Sequence, residues 1–207
     1  MYRGRLDLPI LPPQRLDEIV ATIRSGGVAS IPTDTVYGLA ALATNQAAVE
    51  ALAELKGRDS DQPIAVLFDR IEDIAPYLHD PTVLGRVVQH WPGALTAVVQ
   101  ARAAAGFVAP VVTEARTIGI RQPDDELART VLRGCGGVLA VSSANRHGGT
   151  PALDAAEVAS EFGEELAVLD GEARDGGVSS TVVDLTVQPP RILRAGPIGA
   201  EELWLED

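Results

Sequence analysis

The stretch VASIPTDTVYGL, at residues 28–39, places a short apolar run directly before a polar turn. The apolar run at 28–31 predicts a buried strand, and the proline and three polar side chains at 32–35 predict its end. An amphipathic helix is predicted over 14–24, because apolar residues recur there at helical spacing and a Gly-Gly pair follows. Polar side chains are therefore expected to gather at the carboxyl end of this strand.

Helices and short apolar strands alternate along the rest of the chain. Helices are predicted over 45–56, 83–91, 124–135, 154–162 and near Glu201. Strands are predicted over 64–68, 95–99, 117–121, 138–141, 166–169, 181–185 and 191–193. Several adjacent strands late in the chain predict an α/β fold with a mixed parallel and antiparallel sheet, flanked by helices. Ligands of such sheets bind outside the carboxyl ends of strands, so 33–35 and 142–145 are the first candidates for a site.

The composition predicts one folded domain that acts on small molecules. A chain of 207 residues, 46% hydrophobic and 22% charged, can bury one sizeable core. The net charge of −12 argues against tight binding to a nucleic-acid backbone, which depends on Lys and Arg. Aromatic residues make up only 4% of the chain and offer few platforms for stacked bases. RNA binding is therefore expected to be weak at most and to require a local basic patch.

Several common classes of protein are not expected. The chain has no apolar run of the roughly 18 residues that a membrane span needs, and residues 1–13 lack the core of a secretory signal. A cytoplasmic protein without membrane contact is expected. Cys135 is the only cysteine and is interpreted as an incidental thiol, and the three histidines lack zinc-ligand spacing. Because no P-loop or G-x-G-x-x-G occurs, any ATP site is not of the Walker type.

Lys56 and Arg58 place two cations within one turn at the end of the predicted helix 45–56. One interpretation is structural, since cations at a helix C-terminus are stabilised by about 0.3 to 1 kcal/mol through the helix dipole. The other is a polyphosphate site, in which Lys supplies a point charge and Arg a planar fork. The residues alone leave both interpretations open.

Other polar segments at strand ends are equally open to two interpretations. The loop 142–149 combines hydroxyls, an amide and glycines, which suit a phosphate but also occur in ordinary turns. The turn 33–39 is either a capped turn that packs its tyrosine on the core or part of a site. Arg121 is a candidate carboxylate clamp, and Ser180 and Arg194 also flank strand ends.

An ordered set of short motifs resembles the YrdC-type threonylcarbamoyl-AMP synthase family in its short, single-domain form. The motifs are 32–39 (PTDTVYGL), 56–58 (KGR), 91–96 (WPGALT), 120–123 (IRQP), 143–145 (SAN), 180–184 (STVVD) and 192–196 (ILRAG). Each motif is weak alone, whereas the ordered set is specific. The resemblance predicts one YrdC-like domain over 1–207, with a core at about 14–196, and a large concave cavity in the sheet.

The resemblance implies an ATP-using nucleotidyltransferase of tRNA processing. L-threonine, bicarbonate and ATP would yield threonylcarbamoyl-AMP and pyrophosphate, with Mg²⁺ helping to bind the triphosphate. A downstream tRNA threonylcarbamoyl-transferase complex would then modify an adenosine beside the anticodon, which gives threonylcarbamoyladenosine (t6A). As a hypothesis, bicarbonate first captures the threonine amine as a carbamate, whose oxygen attacks the α-phosphorus of ATP.

The resemblance also assigns residues to the two substrates. The catalytic residues that match the ATP set are Lys56, Arg58, Ser143 and Asn145, with Arg194 as a further ATP contact. The residues that match the L-threonine positions are Thr35, Arg121 and Ser180. The chain departs from the family pattern at Leu67, where a histidine is common, at Leu153, where a threonine is common, and at Ala195, where a proline is usual. These departures lie outside the ATP set.

Two alternatives use the same fold. A non-catalytic module could bind double-stranded RNA or act in ribosome maturation, which the net charge of −12 disfavours. A carbamoyl-transfer protein of hydrogenase maturation would be longer and would carry zinc-finger cysteines that this chain lacks.

Overall fold

The computed structural model describes residues 10–57, 62–163, 166–175 and 177–203. Within these ranges the chain forms a ten-stranded sheet. Its strands are β1 (Ile10–Leu11), β2 (Ala29–Ile31), β3 (Gly38–Ala41), β4 (Ala65–Phe68), β5 (Leu95–Gln100), β6 (Thr117–Arg121), β7 (Val138–Ser143), β8 (Ala167–Leu169), β9 (Thr181–Asp184) and β10 (Arg191–Arg194).

The strands lie side by side in the order β1-β8-β2-β3-β7-β4-β6-β5-β9-β10. Strands β1 and β2 pair in parallel with β8, β4 pairs in parallel with β6, and β5 with β9. The other neighbours are antiparallel. The prediction of a mixed α/β sheet flanked by helices is confirmed.

The α-helices of the described ranges are α1 (Leu16–Arg24), α2 (Gln46–Lys56), α3 (Ile71–Ile74), α4 (Glu126–Gly134), α5 (Ala155–Phe162) and α6 (Ala200–Leu203). The side chains of Asn45, Asp125 and Asp154 accept backbone N–H groups at the starts of α2, α4 and α5. Gly57 ends α2 in the left-handed conformation, with φ of 60°. These caps place the helices where the sequence predicts them, with small shifts at their ends. No helix in these ranges is both long and apolar enough to cross a membrane.

Each face of the sheet buries a hydrophobic core. Helices α2 and α5 contribute to the core on one face. On the other face, Ile19 and Ile23 of α1 and Val131 and Leu132 of α4 pack against β2, β3 and β7. Beyond α1 and α4, side chains of β6, β5 and β9 on this second face line a cavity. The position of the two helices therefore decides which part of the face stays open.

The predicted α-helix over 83–91 is wrong, because this segment forms two 3-10 turns, Pro81–Arg86 and Val88–His90. Gly85 and several β-branched valines within it are weak helix formers, which explains the loss of the regular helix. Strand β3 was not predicted, since glycine and alanine are rare in strands and here depend on pairing with β2 and β7. Strand β7 extends the predicted 138–141 to Ser143.

A buried serine offers a test of this packing. Ser30 in β2 is fully buried, and its hydroxyl has no hydrogen-bond partner among the described residues. Since Ser30→Ala removes an unsatisfied polar group, we expect the free energy of unfolding to stay level or to rise by up to about 1 kcal/mol in urea denaturation. The matched variant Thr33→Val should destabilise, because the Thr33 hydroxyl donates to the Val36 carbonyl at 2.6 Å. Equal losses in the two variants would show that the Ser30 hydroxyl does have a hydrogen-bond partner.

Candidate active site

A cavity of about 680 Å³ opens on the face of the sheet beyond α1 and α4. All the predicted site residues that the structure describes line it. They are Thr35, Lys56, Arg121, Ser143, Asn145, Ser180 and Arg194. Arg58 lies outside the described residues. The cavity extends from the carboxyl ends of β2 and β7 across the faces of β4, β6, β5 and β9, so it is wider than the strand-end position that the sequence predicts.

Arg121 is held at one end of the cavity by three hydrogen bonds. Its Nη2 lies 2.6 Å from Oδ1 of Asp34, its Nη1 donates to the Thr35 hydroxyl at 2.9 Å, and its Nε donates to the Gly93 carbonyl at 2.9 Å. The Arg121 residue is only 6% exposed. Since a guanidinium has five N–H donors, two have no hydrogen-bond partner among the described residues.

The turn that supplies Asp34 and Thr35 is itself fixed. The Thr33 hydroxyl lies 3.1 Å from that of Thr35 and donates to the Val36 carbonyl at 2.6 Å. Tyr37 is fully buried, and its hydroxyl accepts from the Gly171 N–H at 2.9 Å. Burial raises the pKa of Tyr37. The turn therefore both caps a strand and packs its tyrosine on the core, and it also presents Thr35 to the cavity.

Ser180 directly precedes β9 and lines the same cavity as Arg121. Its hydroxyl lies 2.8 Å from that of Thr96 and accepts from Nη2 of Arg194 at 3.1 Å, while the Ser180 carbonyl accepts from Nε of Arg194 at 3.0 Å. Burial of the Arg194 guanidinium, together with the positive charge of Arg121, lowers the pKa of Arg194. Gly196 allows this close packing, because an added Cβ would lie 2.3 Å from the Thr181 nitrogen.

Lys56 joins the end of α2 to the loop after β7. The residue is 4% exposed, and its Nζ donates to the carbonyls of Ser143 at 2.5 Å and Asn145 at 2.8 Å. The Lys56 carbonyl in turn accepts from the His147 N–H at 2.7 Å. Lys56 is therefore no solvated surface cation, and its charge is held within the wall of the cavity.

The Asn145 side chain closes the same loop on itself. Its amide nitrogen donates to the carbonyls of Arg146 at 2.7 Å and Gly149 at 2.9 Å, and its Oδ1 accepts from the Ser143 hydroxyl at 2.6 Å. The loop thus presents Ser143, Asn145, His147 and Gly148 to the cavity in a fixed arrangement. Such a loop of hydroxyl, amide and glycine groups suits an anionic ligand.

A second set of ionic contacts joins α4 to the residue that follows Arg121. Asp69, 1% exposed, accepts at Oδ1 from Nε of Arg129 at 2.9 Å and from Nη1 of Arg133 at 3.1 Å. The Asp69 carbonyl accepts from the side-chain amide of Gln122. Because Gln122 directly follows Arg121, α4 anchors the end of β6.

Two residues that hold predicted L-threonine-binding side chains in place were not predicted from the sequence. Asp34 pairs with Arg121, and Thr96 bonds with Ser180. Asp34 lies in the motif 32–39 and Thr96 in the motif 91–96. Their position inside these motifs was the sequence signal that could have identified them. The departure Leu67 lines the cavity and is the cross-strand partner of Arg121. Leu153 is not among the described residues that line the cavity.

The described ranges contain no group of three or more His, Cys, Asp or Glu side chains placed to hold a metal ion.

Cys135 lies at the C-terminal end of α4, and burial raises the pKa of its thiol to about 11. Since the thiolate is the reactive form, we expect slow alkylation by iodoacetamide at neutral pH and a rate that rises toward pH 11. Mass spectrometry over a pH series would measure the rate. Rapid modification at pH 7 would contradict the interpretation of an inert thiol.

The fold and the site define an α/β protein whose sheet carries a cavity with an arginine at one end and a lysine-held polar loop at the other. The chain belongs to the Sua5/YciO/YrdC family, because the family model, described as "Telomere recombination", matches residues 21–196. It is 37% identical over 198 residues to a Mycobacterium tuberculosis relative. That alignment covers 93% of this chain and 90% of the relative. It is 35% identical over 178 residues to a threonylcarbamoyl-AMP synthase of Thiobacillus denitrificans, covering 84% of this chain and 92% of that protein.

A solved structure has the same fold. The crystal structure of Pyrococcus abyssi Sua5 complexed with L-threonine aligns with a TM-score of 0.86 at 30% identity, and the alignment covers 95% of this chain. This chain spans 60% of that longer protein.

Asp34→Ala tests the buried ion pair. The change leaves the Arg121 guanidinium buried without its carboxylate, so we expect the free energy of unfolding to fall by about 3 kcal/mol in urea denaturation. The control is Glu18→Ala, which removes an exposed carboxylate from its pair with Arg15 and should have a much smaller effect. A loss no larger than that of the control would show that Arg121 does not depend on Asp34.

Proposed function

We propose that this chain is a threonylcarbamoyl-AMP synthase, an ATP-dependent nucleotidyltransferase that uses L-threonine and bicarbonate. The observation that carries the proposal is the single cavity that joins a buried arginine with a lysine-held polar loop. The family membership and the name of the Thiobacillus denitrificans relative agree with this chemistry. The name of this relative favours the proposal over the RNA-binding and the hydrogenase-maturation alternatives.

L-threonine would bind at the Arg121 end. The two remaining N–H donors of Arg121 can clamp the carboxylate, and the hydroxyls of Thr35 and Ser180 can bond the amine and the side-chain hydroxyl. The Pyrococcus abyssi relative was solved with L-threonine, which supports this choice of amino acid. Leu67 would give the amino-acid site an apolar wall beside Arg121.

ATP would bind at the opposite end, along the loop that follows β7. Ser143 and Asn145 line this part of the cavity, Lys56 contributes a buried positive charge, and Arg58 follows two residues later in the chain. Arg194 would supply a further cation from the Ser180 wall, near Arg121. Mg²⁺, held by the triphosphate and water, would add positive charge where pyrophosphate leaves.

The reaction needs no protein nucleophile. The amine of L-threonine would attack bicarbonate to form a carbamate with loss of water. A carbamate oxygen would then form a bond to the α-phosphorus of ATP as the bond to pyrophosphate breaks. The residues would act by positioning the reactants and by facing the developing negative charge with cations, the two effects that dominate such transfers. The product would pass to a tRNA-modifying complex in the cytoplasm.

The proposal predicts a product that requires every substrate. Purified protein with ATP, Mg²⁺, bicarbonate and L-threonine should form threonylcarbamoyl-AMP and pyrophosphate, detected by mass spectrometry, and omission of any one substrate should abolish the product. The Lys56→Ala, Arg58→Ala double variant should lower kcat/KM by at least about 100-fold, because cations that face the transition state are removed.

Because Lys56 also holds the loop after β7, loss of activity in the double variant could come from a displaced loop. A second variant that leaves Lys56 in place is therefore needed. Ser143→Ala removes one hydroxyl, leaves the Lys56 contact to the Ser143 carbonyl possible, and should lower kcat/KM by about tenfold or more. Unfolding temperatures of all variants would separate loss of fold from loss of activity. Unchanged threonine-dependent synthesis in the folded double variant would rule out the assigned ATP site.

A further inference from the structure

The floor of the cavity consists of cross-strand rows that run across β7, β4, β6, β5 and β9. One row contains Leu67 and Arg121, which are direct partners. The next row on the same face contains Gly119, whose partner on β5 is Val98. Val98 pairs in turn with Asp184 on β9.

The middle row continues toward the polar loop. Ala65 lies beside Gly119 and pairs with Val141 on β7, and Ser143 lies two residues further along the same strand. Residues two apart on a strand are separated by about 6.6 Å along it. Gly119 therefore lies between the row of Arg121 and the row of Ser143, about one step from each.

Neither the backbone nor the packing of the protein requires a glycine at this position. Gly119 lies within a strand and has no left-handed φ. An added Cβ would meet Cγ2 of Thr96 at 3.4 Å and Cβ of Ala65 at 3.9 Å, which are ordinary contacts. Gly38 differs, because its added Cβ would lie 2.6 Å from the Val141 side chain. A strand-interior glycine that the fold does not need commonly marks the close approach of a ligand.

We propose that Gly119 keeps the floor open at the point where the carbamate oxygen of the amino acid meets the α-phosphorus of ATP. The inference rests on the proposed function. The amino acid is held from the Arg121 row and the phosphates from the Ser143 row, and the reacting atoms must approach to roughly 3–3.5 Å. That meeting point falls above the middle row, where Gly119 and Ala65 offer the least bulk. Gly119 is thus a positioning residue for the joining step and contributes little to either substrate's own contacts.

The test is Gly119→Val, with Gly119→Ala as a smaller step. The valine should leave L-threonine affinity within about threefold of the wild type by isothermal titration calorimetry, and KM for L-threonine should change equally little. Its kcat for threonylcarbamoyl-AMP should fall at least about 100-fold, with Gly119→Ala in between. Unfolding temperatures of both variants would show that each is folded under the assay conditions.

Gly85→Val is the matched control, since it makes the same exchange in the 3-10 turn Pro81–Arg86, where an added Cβ meets no atom within 4 Å. Its kcat should equal that of the wild type. Full kcat in folded Gly119→Val would overturn the inference, and so would a loss of L-threonine affinity as large as the loss of kcat. A wild-type protein that forms no product would instead overturn the proposed function, and this inference with it.

Discussion

The buried charge of Arg121 is the constraint on which the cavity depends. A guanidinium removed from water must find acceptors, and here they come from two separate segments. One is the turn that carries the Asp34 carboxylate and the Thr35 hydroxyl, and the other is the loop that carries the Gly93 carbonyl. The same charge therefore fixes both the turn after β2 and the loop before β5, and Arg121 also lines the cavity. Stability and ligand recognition rest on one side chain at this end.

The opposite end repeats this arrangement with a lysine. Lys56 is buried at the end of α2 and bonds the backbone carbonyls of the loop after β7, so a helix terminus and a strand terminus are joined by one ammonium group. Between the two ends, the sheet offers small side chains, and α1 and α4 stop short of covering them. A face that would otherwise bury a core thus becomes the floor of a site lined by the cations Arg121, Arg194 and Lys56.

Local signals in the sequence predicted much of the fold. The strand 117–121 and the cap at Asn45 were predicted correctly, because each depends on a short apolar run or a single side chain. Strand β3 and the 3-10 turns near Gly85 were missed, since tertiary pairing and weak helix formers decide them. The candidate site residues came from the ordered motifs, because composition alone left each of them ambiguous. The position of Asp34 inside a motif marked it as a candidate, but its role depends on a contact that only the folded chain shows. The role of Gly119 depends in the same way on the strand register.

The most direct test of this account is a crystal structure of the protein with L-threonine and a non-hydrolysable ATP analogue. The account predicts the threonine carboxylate on Arg121, the triphosphate along the Ser143 and Asn145 loop, and the α-phosphorus above Gly119 beside the threonine amine. Threonine bound away from Arg121, or an α-phosphorus remote from the amine with both ligands present, would contradict the claim that the two ends of the cavity serve one reaction.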